Sequence, residues 1–77
     1  MWRVYILKCQ DGSFYTGITT DIERRWRQHL SGRASKYTRS HRPACIYHLS
    51  EPMTHSEALR MECRIKQLSH NKKERMK

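Results

Sequence analysis

Large side chains alternate along Arg3-Val4-Tyr5-Ile6-Leu7-Lys8-Cys9, the period expected of a half-buried strand. A second run, Phe14-Tyr15-Thr16-Gly17-Ile18, follows the turn-forming Gln10-Asp11-Gly12-Ser13, so the two predict an antiparallel hairpin. Two registers are open to it. A two-residue Asp11-Gly12 turn sets Lys8 opposite Tyr15 and sends Tyr5 and Tyr15 to opposite faces. A three-residue loop, Gln10-Asp11-Gly12 with Gly12 in the left-handed region, sets Leu7 opposite Tyr15. Only the second register segregates side chains by chemistry. It gathers Val4, Ile6, Phe14 and Ile18 on one face and Tyr5, Tyr15 and Gly17 on the other. A one-residue slip would mix these sets, so the apolar pattern selects the three-residue loop. Two tyrosines beside a glycine, on the face the best hydrophobes leave free, read as the floor of a site.

The period then lengthens. Thr20-x-x-Glu23 reads as a capping box that opens a helix running to about Ser31, with Gly32 just past its end. Ile22, Trp26 and Leu30 step by four and predict its buried stripe, while Arg25 and His29 step along an adjoining line that grazes the sheet. Residues 33–43 hold five basic residues, His41 included, one tyrosine and no acid. This predicts an exposed loop able to track a phosphate backbone, with Tyr37 either tucked onto the core or stacked on a base. Ala44 to Leu49, bracketed by Pro43 and Pro52, predict a third strand. Thr54-x-x-Glu57 opens a helix to about Ser69, and Asn71-x-x-Glu74 reads as the cap of a short last one. The order β-β-α-β-α-α predicts an α+β fold, a three-stranded antiparallel sheet flanked by helices, in a single domain over residues 1–77.

Charge sharpens this picture. Sixteen basic residues against seven acidic ones give a net charge of +9, which suits a phosphate-rich partner because neutralised phosphates release counterions. Ten of the sixteen are arginines, better suited to bidentate phosphate contact than lysines. Three cysteines without C-x-x-C spacing argue against a disulfide framework and make a reducing cytoplasm the simpler setting. No run reaches membrane-spanning length, so no membrane partner is expected. His41, His48, His55 and His70 have no metal-ligand spacing among themselves or with the cysteines, which argues against zinc.

One residue breaks the pattern. Ala58, Leu59, Met61, Ile65 and Leu68 form the apolar face of the helix after Thr54, and at roughly 100° per residue Glu62 falls inside it, between Ala58 and Ile65. A carboxylate there must be paired, protonated or bound to a cation. A buried ion pair with Arg3 or Arg64 and a functional site are equally good readings.

Together these residues resemble the GIY-YIG nuclease superfamily, in particular its small single-domain bacterial (UPF0213-like) branch. The first signature, G-I-Y, aligns with Arg3-Val4-Tyr5, and the second, Y-I-G, with Tyr15-Thr16-Gly17. The arginine and, four residues on, the histidine or tyrosine of the family match Arg25 and His29, and its later helical glutamate matches Glu62. Arg3 stands where the signature has glycine, and Ile18 where some relatives carry a catalytic lysine. Asn71 alone could serve for the family's asparagine, at a short spacing.

The resemblance implies phosphodiester hydrolysis in DNA, with RNA left open, by Tyr5, Tyr15, Arg25, His29 and Glu62 as catalytic residues. It implies one divalent metal per site, Mg2+ or Mn2+, held by Glu62 and completed by water and phosphate. Tyr5 is expected to take the proton of the attacking water with its pKa well below the usual ~10, with Tyr15 able to share that role. Arg25 would hold a phosphate oxygen and His29 orient phosphate or water. Gly17 would allow close approach, and Arg27, Arg33, Lys36, Tyr37 and Arg39 would bind the substrate. The chain is expected to act as a monomer, cutting both strands by two visits or as a transient dimer on the substrate. The alternative is a nucleic-acid-binding module that keeps the fold without the chemistry.

Overall fold

The hairpin register follows the apolar pattern. In the computed structural model, which describes residues 1–76, β1 (Arg3–Cys9) and β2 (Phe14–Thr19) pair with Leu7 opposite Tyr15 and Tyr5 opposite Gly17. The loop is Gln10-Asp11-Gly12, closed by Cys9 N–H donating to Ser13 O at 2.8 Å, with Gly12 at φ +87°. Asp11 Oδ1 fastens the turn by accepting from both N–H and hydroxyl of Ser13. The third strand, β3 (Pro43–Leu49), joins the other edge of β1, giving the antiparallel order β2-β1-β3. Pro43 is tolerated because β3 is an edge strand.

Helix α1 (Ile22–Leu30) begins one residue later than the capping box suggests. Its N-cap is Asp21, which accepts from Arg24 N–H at 3.1 Å. Thr19 Oγ1 takes the Asp21 N–H and holds that residue in the extended conformation an N-cap requires, so Thr20 is bypassed. The buried line of α1 is also rotated from the expected one. Leu30 is 42% exposed, Ile22 and Trp26 are half-buried, and His29 is buried. The helix turns its imidazole inward because partners await it there.

The connection between α1 and β3, expected as an open loop, contains a short helix, α2 (Lys36–Ser40), capped by Ser35. Otherwise the expected element order holds. The reciprocal Thr54–Glu57 box opens α3 (His55–Lys66), which stops at Gln67 instead of Ser69. Ser69 caps α4 (His70–Glu74), two residues before the expected Asn71. Ser69 is free to do so because α3 has already ended.

The apolar face of the sheet and α3 make the core, with Val4, Ile6, Ala58 and Ile65 buried and Trp2, Phe14, Ile18, Met53 and Met61 packed around them. Leu59, expected on that face, is 45% exposed. The C-terminal residues return over the sheet: His70 lies 4.7 Å from the Phe14 ring, and Tyr47 Oη donates to Glu74 O at 2.6 Å. This apolar cluster lies on one side of the sheet, while Tyr5, Leu7 and Cys9 are buried on the other. The other side is available for a different kind of packing.

Candidate active site

That other side carries Tyr5, Leu7, Tyr15 and Gly17, covered by α1 and α2 rather than α3. Tyr5 is 2% exposed, and its Oη lies 2.8 Å from His29 Nε2. The imidazole continues a chain: Nδ1 lies 2.8 Å from Thr38 Oγ1, which in turn lies 2.9 Å from Ser35 Oγ. Gly17 is the seat of the phenol. A Cβ there would stand 2.5 Å from Tyr5 Oη and 2.7 Å from its Cζ. The space that the sequence reading gave to an approaching substrate is thus filled by Tyr5 itself.

The aromatic rings extend outward from this buried pair. Tyr15 meets His29 edge-on at 5.0 Å and lies 6.5 Å from Tyr5. Tyr37 follows at 6.0 Å from Tyr15 and stacks on His41 at 4.2 Å. Tyr37 does not tuck onto the core: it continues the ring series from α2 and stays 37% exposed, which leaves stacking on a base open to it.

Electrostatics ties Arg25 to both members of this pair and Glu62 to Tyr5. Burial above all, then the neighbouring Tyr15, pushes the Tyr5 phenol well up from its ordinary value. Arg25 opposes this and Glu62 adds to it, but burial prevails, so the phenol keeps its proton. The expectation of a lowered phenol is reversed. Burial and then Arg25 push the His29 imidazole down to about 4, so it is neutral at neutral pH. Arg25 is half-buried, and its guanidinium makes no hydrogen bond or ion pair among the described residues.

Glu62 lies at the margin of the apolar face, with 21% of its side chain exposed, 3.5 Å from the Nζ of the exposed Lys66. Neither Arg3 nor Arg64 pairs with it among the described residues. An ion pair with a solvated lysine one turn away is weak and easily exchanged. No three His, Cys, Asp or Glu side chains converge on a metal position among the described residues. A lone carboxylate fits magnesium, which keeps several waters and takes few protein ligands, and does not fit a closed site such as zinc prefers.

The basic residues divide into two groups. Arg27 and Arg33, together with Arg24, Gln28 and Ser31, line an open pocket of about 390 Å³ on α1, away from the tyrosines. Lys36 and Arg39 lie exposed on α2. Sequence reasoning missed Ser35 and Thr38. The signal was present in Ser35-x-x-Thr38, which has the spacing of an N-cap but ends in threonine where a capping box has glutamate.

The GIY-YIG catalytic domain matches residues 1–75. The chain belongs to the GIY-YIG family. It is 47% identical to UPF0213 protein VNG_2274C of Halobacterium salinarum over 96% of each chain. To UPF0213 protein H16_B0156 of Cupriavidus necator it is 49% identical, over 94% of this chain and 78% of that one. Among solved structures, it resembles the solution NMR structure of UPF0213 protein BH0048 from Bacillus halodurans. The TM-score there is 0.59, with 46% identity over 97% of this chain and 81% of that chain. The solution NMR structure of protein EF2693 from E. faecalis gives a TM-score of 0.64, with 44% identity over 95% of this chain and 78% of that one. The GIY-YIG signatures fall on the two hairpin strands, and the hydrogen-bonded phenol and imidazole lie on the face these strands leave to α1.

Proposed function

We propose that the chain is a metal-dependent endonuclease that hydrolyses phosphodiester bonds in DNA. The observation that carries this reading is the 2.8 Å contact between Tyr5 Oη and the neutral His29 Nε2, beside an unpaired Arg25. A buried phenol that retains its proton is a poor base alone. Joined to a neutral imidazole, it can take a proton from water at Oη while its own proton passes to Nε2. The water oxygen then bonds to phosphorus, the phosphorus–oxygen bond to the leaving group breaks, and solvent supplies the proton that this oxygen needs. Arg25 disfavours the imidazolium, but an incoming phosphate offsets that charge and makes protonation of His29 easier.

Arg25 would hold a non-bridging phosphate oxygen and stabilise charge as it develops. Tyr15, whose hydroxyl makes no hydrogen bond among the described residues, can align the water beside Tyr5. Glu62 would hold the divalent metal, Mg2+ or Mn2+. Such a cation supplies Lewis-acid stabilisation of the phosphoryl group when bound. Tyr37 and the cations Arg27, Arg33, Lys36 and Arg39 would contact the substrate outside the reacting centre. A domain this small offers little surface for a long base sequence, which favours recognition of DNA structure or ends.

A nicking assay with magnesium tests the reading. Arg25→Ala and Glu62→Ala should each lower cleavage by on the order of 100-fold or more while the fold persists. A purified chain that cuts no form of DNA with magnesium or manganese would sink it. Salt-sensitive binding without turnover, unchanged in Glu62→Ala, would leave the non-catalytic module in its place.

A further inference from the structure

The geometry points to Thr38 as the residue that fixes the tautomer of His29, holding the proton on Nδ1 and leaving Nε2 bare toward Tyr5. A neutral imidazole has one N–H donor and one bare acceptor nitrogen. Both ring nitrogens are engaged, Nε2 with Tyr5 Oη and Nδ1 with Thr38 Oγ1, each at 2.8 Å. Two arrangements satisfy the imidazole. In one, Nε2–H donates to the phenol oxygen, and the Tyr5 hydroxyl must find another acceptor. None is hydrogen-bonded to it among the described residues, and Tyr5 is 2% exposed. A buried donor left unpaired is costly. In the other, the Tyr5 hydroxyl donates to Nε2, Nδ1–H donates to Thr38 Oγ1, and the Thr38 hydroxyl donates to Ser35 Oγ at 2.9 Å. Every fully buried donor is then used, and the one left over is the hydroxyl of the half-buried Ser35.

The surrounding structure fits this task. Thr38 has no exposed surface and is the buried residue of α2. Ser35 serves twice, since its Oγ also accepts the Thr38 N–H at 3.1 Å as the helix cap. The cap and the imidazole contact are therefore made by one pair of hydroxyls, and α2 holds Thr38 in place under the ring. A hydroxyl at this position is an acceptor in the resting arrangement, and it can keep accepting from Nδ1–H after Nε2 gains a proton. Thr38 is a positioning residue: it acts on Tyr5 only through His29.

The catalytic consequence rests on the nuclease reading, whereas the tautomer assignment does not. The test is the nitrogen-15 NMR spectrum of the His29 ring in the wild type, Thr38→Val and Thr38→Ser. The wild type should show a protonated Nδ1 and an unprotonated Nε2, Thr38→Val should lose that preference, and Thr38→Ser should keep it. A wild-type spectrum with the proton on Nε2 overturns the assignment whether or not any variant folds. So does a folded Thr38→Val that keeps the wild-type tautomer. On DNA with magnesium, Thr38→Val should lower kcat by on the order of 10- to 100-fold with KM little changed, and Thr38→Ser should recover most of it. If the wild type cuts DNA and folded Thr38→Val cuts equally fast, the positioning role is wrong. If the spectra are as expected and even the wild type cuts nothing, the nuclease reading fails while the tautomer assignment stands.

Discussion

The two faces of one small sheet are stabilised in different ways. On the α3 side, Val4 and Ile6 meet Ala58 and Ile65 in non-directional apolar packing that asks only for volume. On the α1 side, Tyr5 is held by directed contacts: a hydrogen bond to His29, a glycine beneath the phenol, and a threonine behind the imidazole. The first face supplies fold stability at low specificity. The second buries polar groups whose positions are fixed by those contacts, which is worthwhile where chemistry depends on those positions. Substitutions on the two faces should therefore fail in different ways, one in stability and the other in activity.

The widest separation is expected from Tyr5→Phe. It should reduce cleavage by on the order of 10² to 10⁴-fold, the span of general acid–base contributions, while shifting stability by only about 1 kcal/mol. Cleavage kinetics beside urea unfolding would check both. Ile6→Ala should do the reverse, costing about 2 to 5 kcal/mol of stability while surviving folded protein keeps its turnover rate. If Tyr5→Phe unfolds the chain as badly as Ile6→Ala, the division between the faces does not hold.

Mild acid should weaken the second face first, before the lowered carboxyls of Asp11 and Glu57 take up protons. His29 titrates at about 4 when folded against 6.5 when unfolded, so between these values the unfolded chain binds more protons. The stability this group contributes is fully present above pH 6.5 and is lost as the pH falls toward 4, by up to about 3 kcal/mol. Unfolding free energies from pH 7 to 4 should show the decline, and His29→Gln should flatten it. The smallest effect is expected at Gly17→Ala. Its Cβ must displace the Tyr5 phenol at a cost of about 1 to 3 kcal/mol, visible in the urea midpoint and in a shifted His29 ring resonance. An unshifted resonance would mean the phenol does not depend on this seat.

The same contrast explains what could be read from the chain alone. Val4, Ile6, Phe14 and Ile18 alternate with Tyr5, Tyr15 and Gly17, and with Gly12 they specify the register, both faces and hence the shared side of the two tyrosines. Thr54 and Glu57 announced α3 in the same way. Features that depend on directed contacts left a fainter trace. The five residues of α2 are polar and show no apolar period, so the helix that carries Thr38 read as loop. His29 displaced Leu30 from the interior because hydrogen-bond partners for an imidazole outweighed the apolar step of four. Glu62 read as lying inside the apolar face of α3. Its place at the rim, beside Lys66, depends on how α3 rotates against the sheet, which helical periodicity alone does not determine.

The most direct test of the central claim is the rate at which the purified chain cuts labelled DNA, followed against magnesium concentration for the wild type and Glu62→Gln. The wild type should cut with saturable dependence on the metal and stop on chelation, and Glu62→Gln should need far more metal or not cut. Cleavage that persists after chelation, or equal metal dependence in the two proteins, would contradict it.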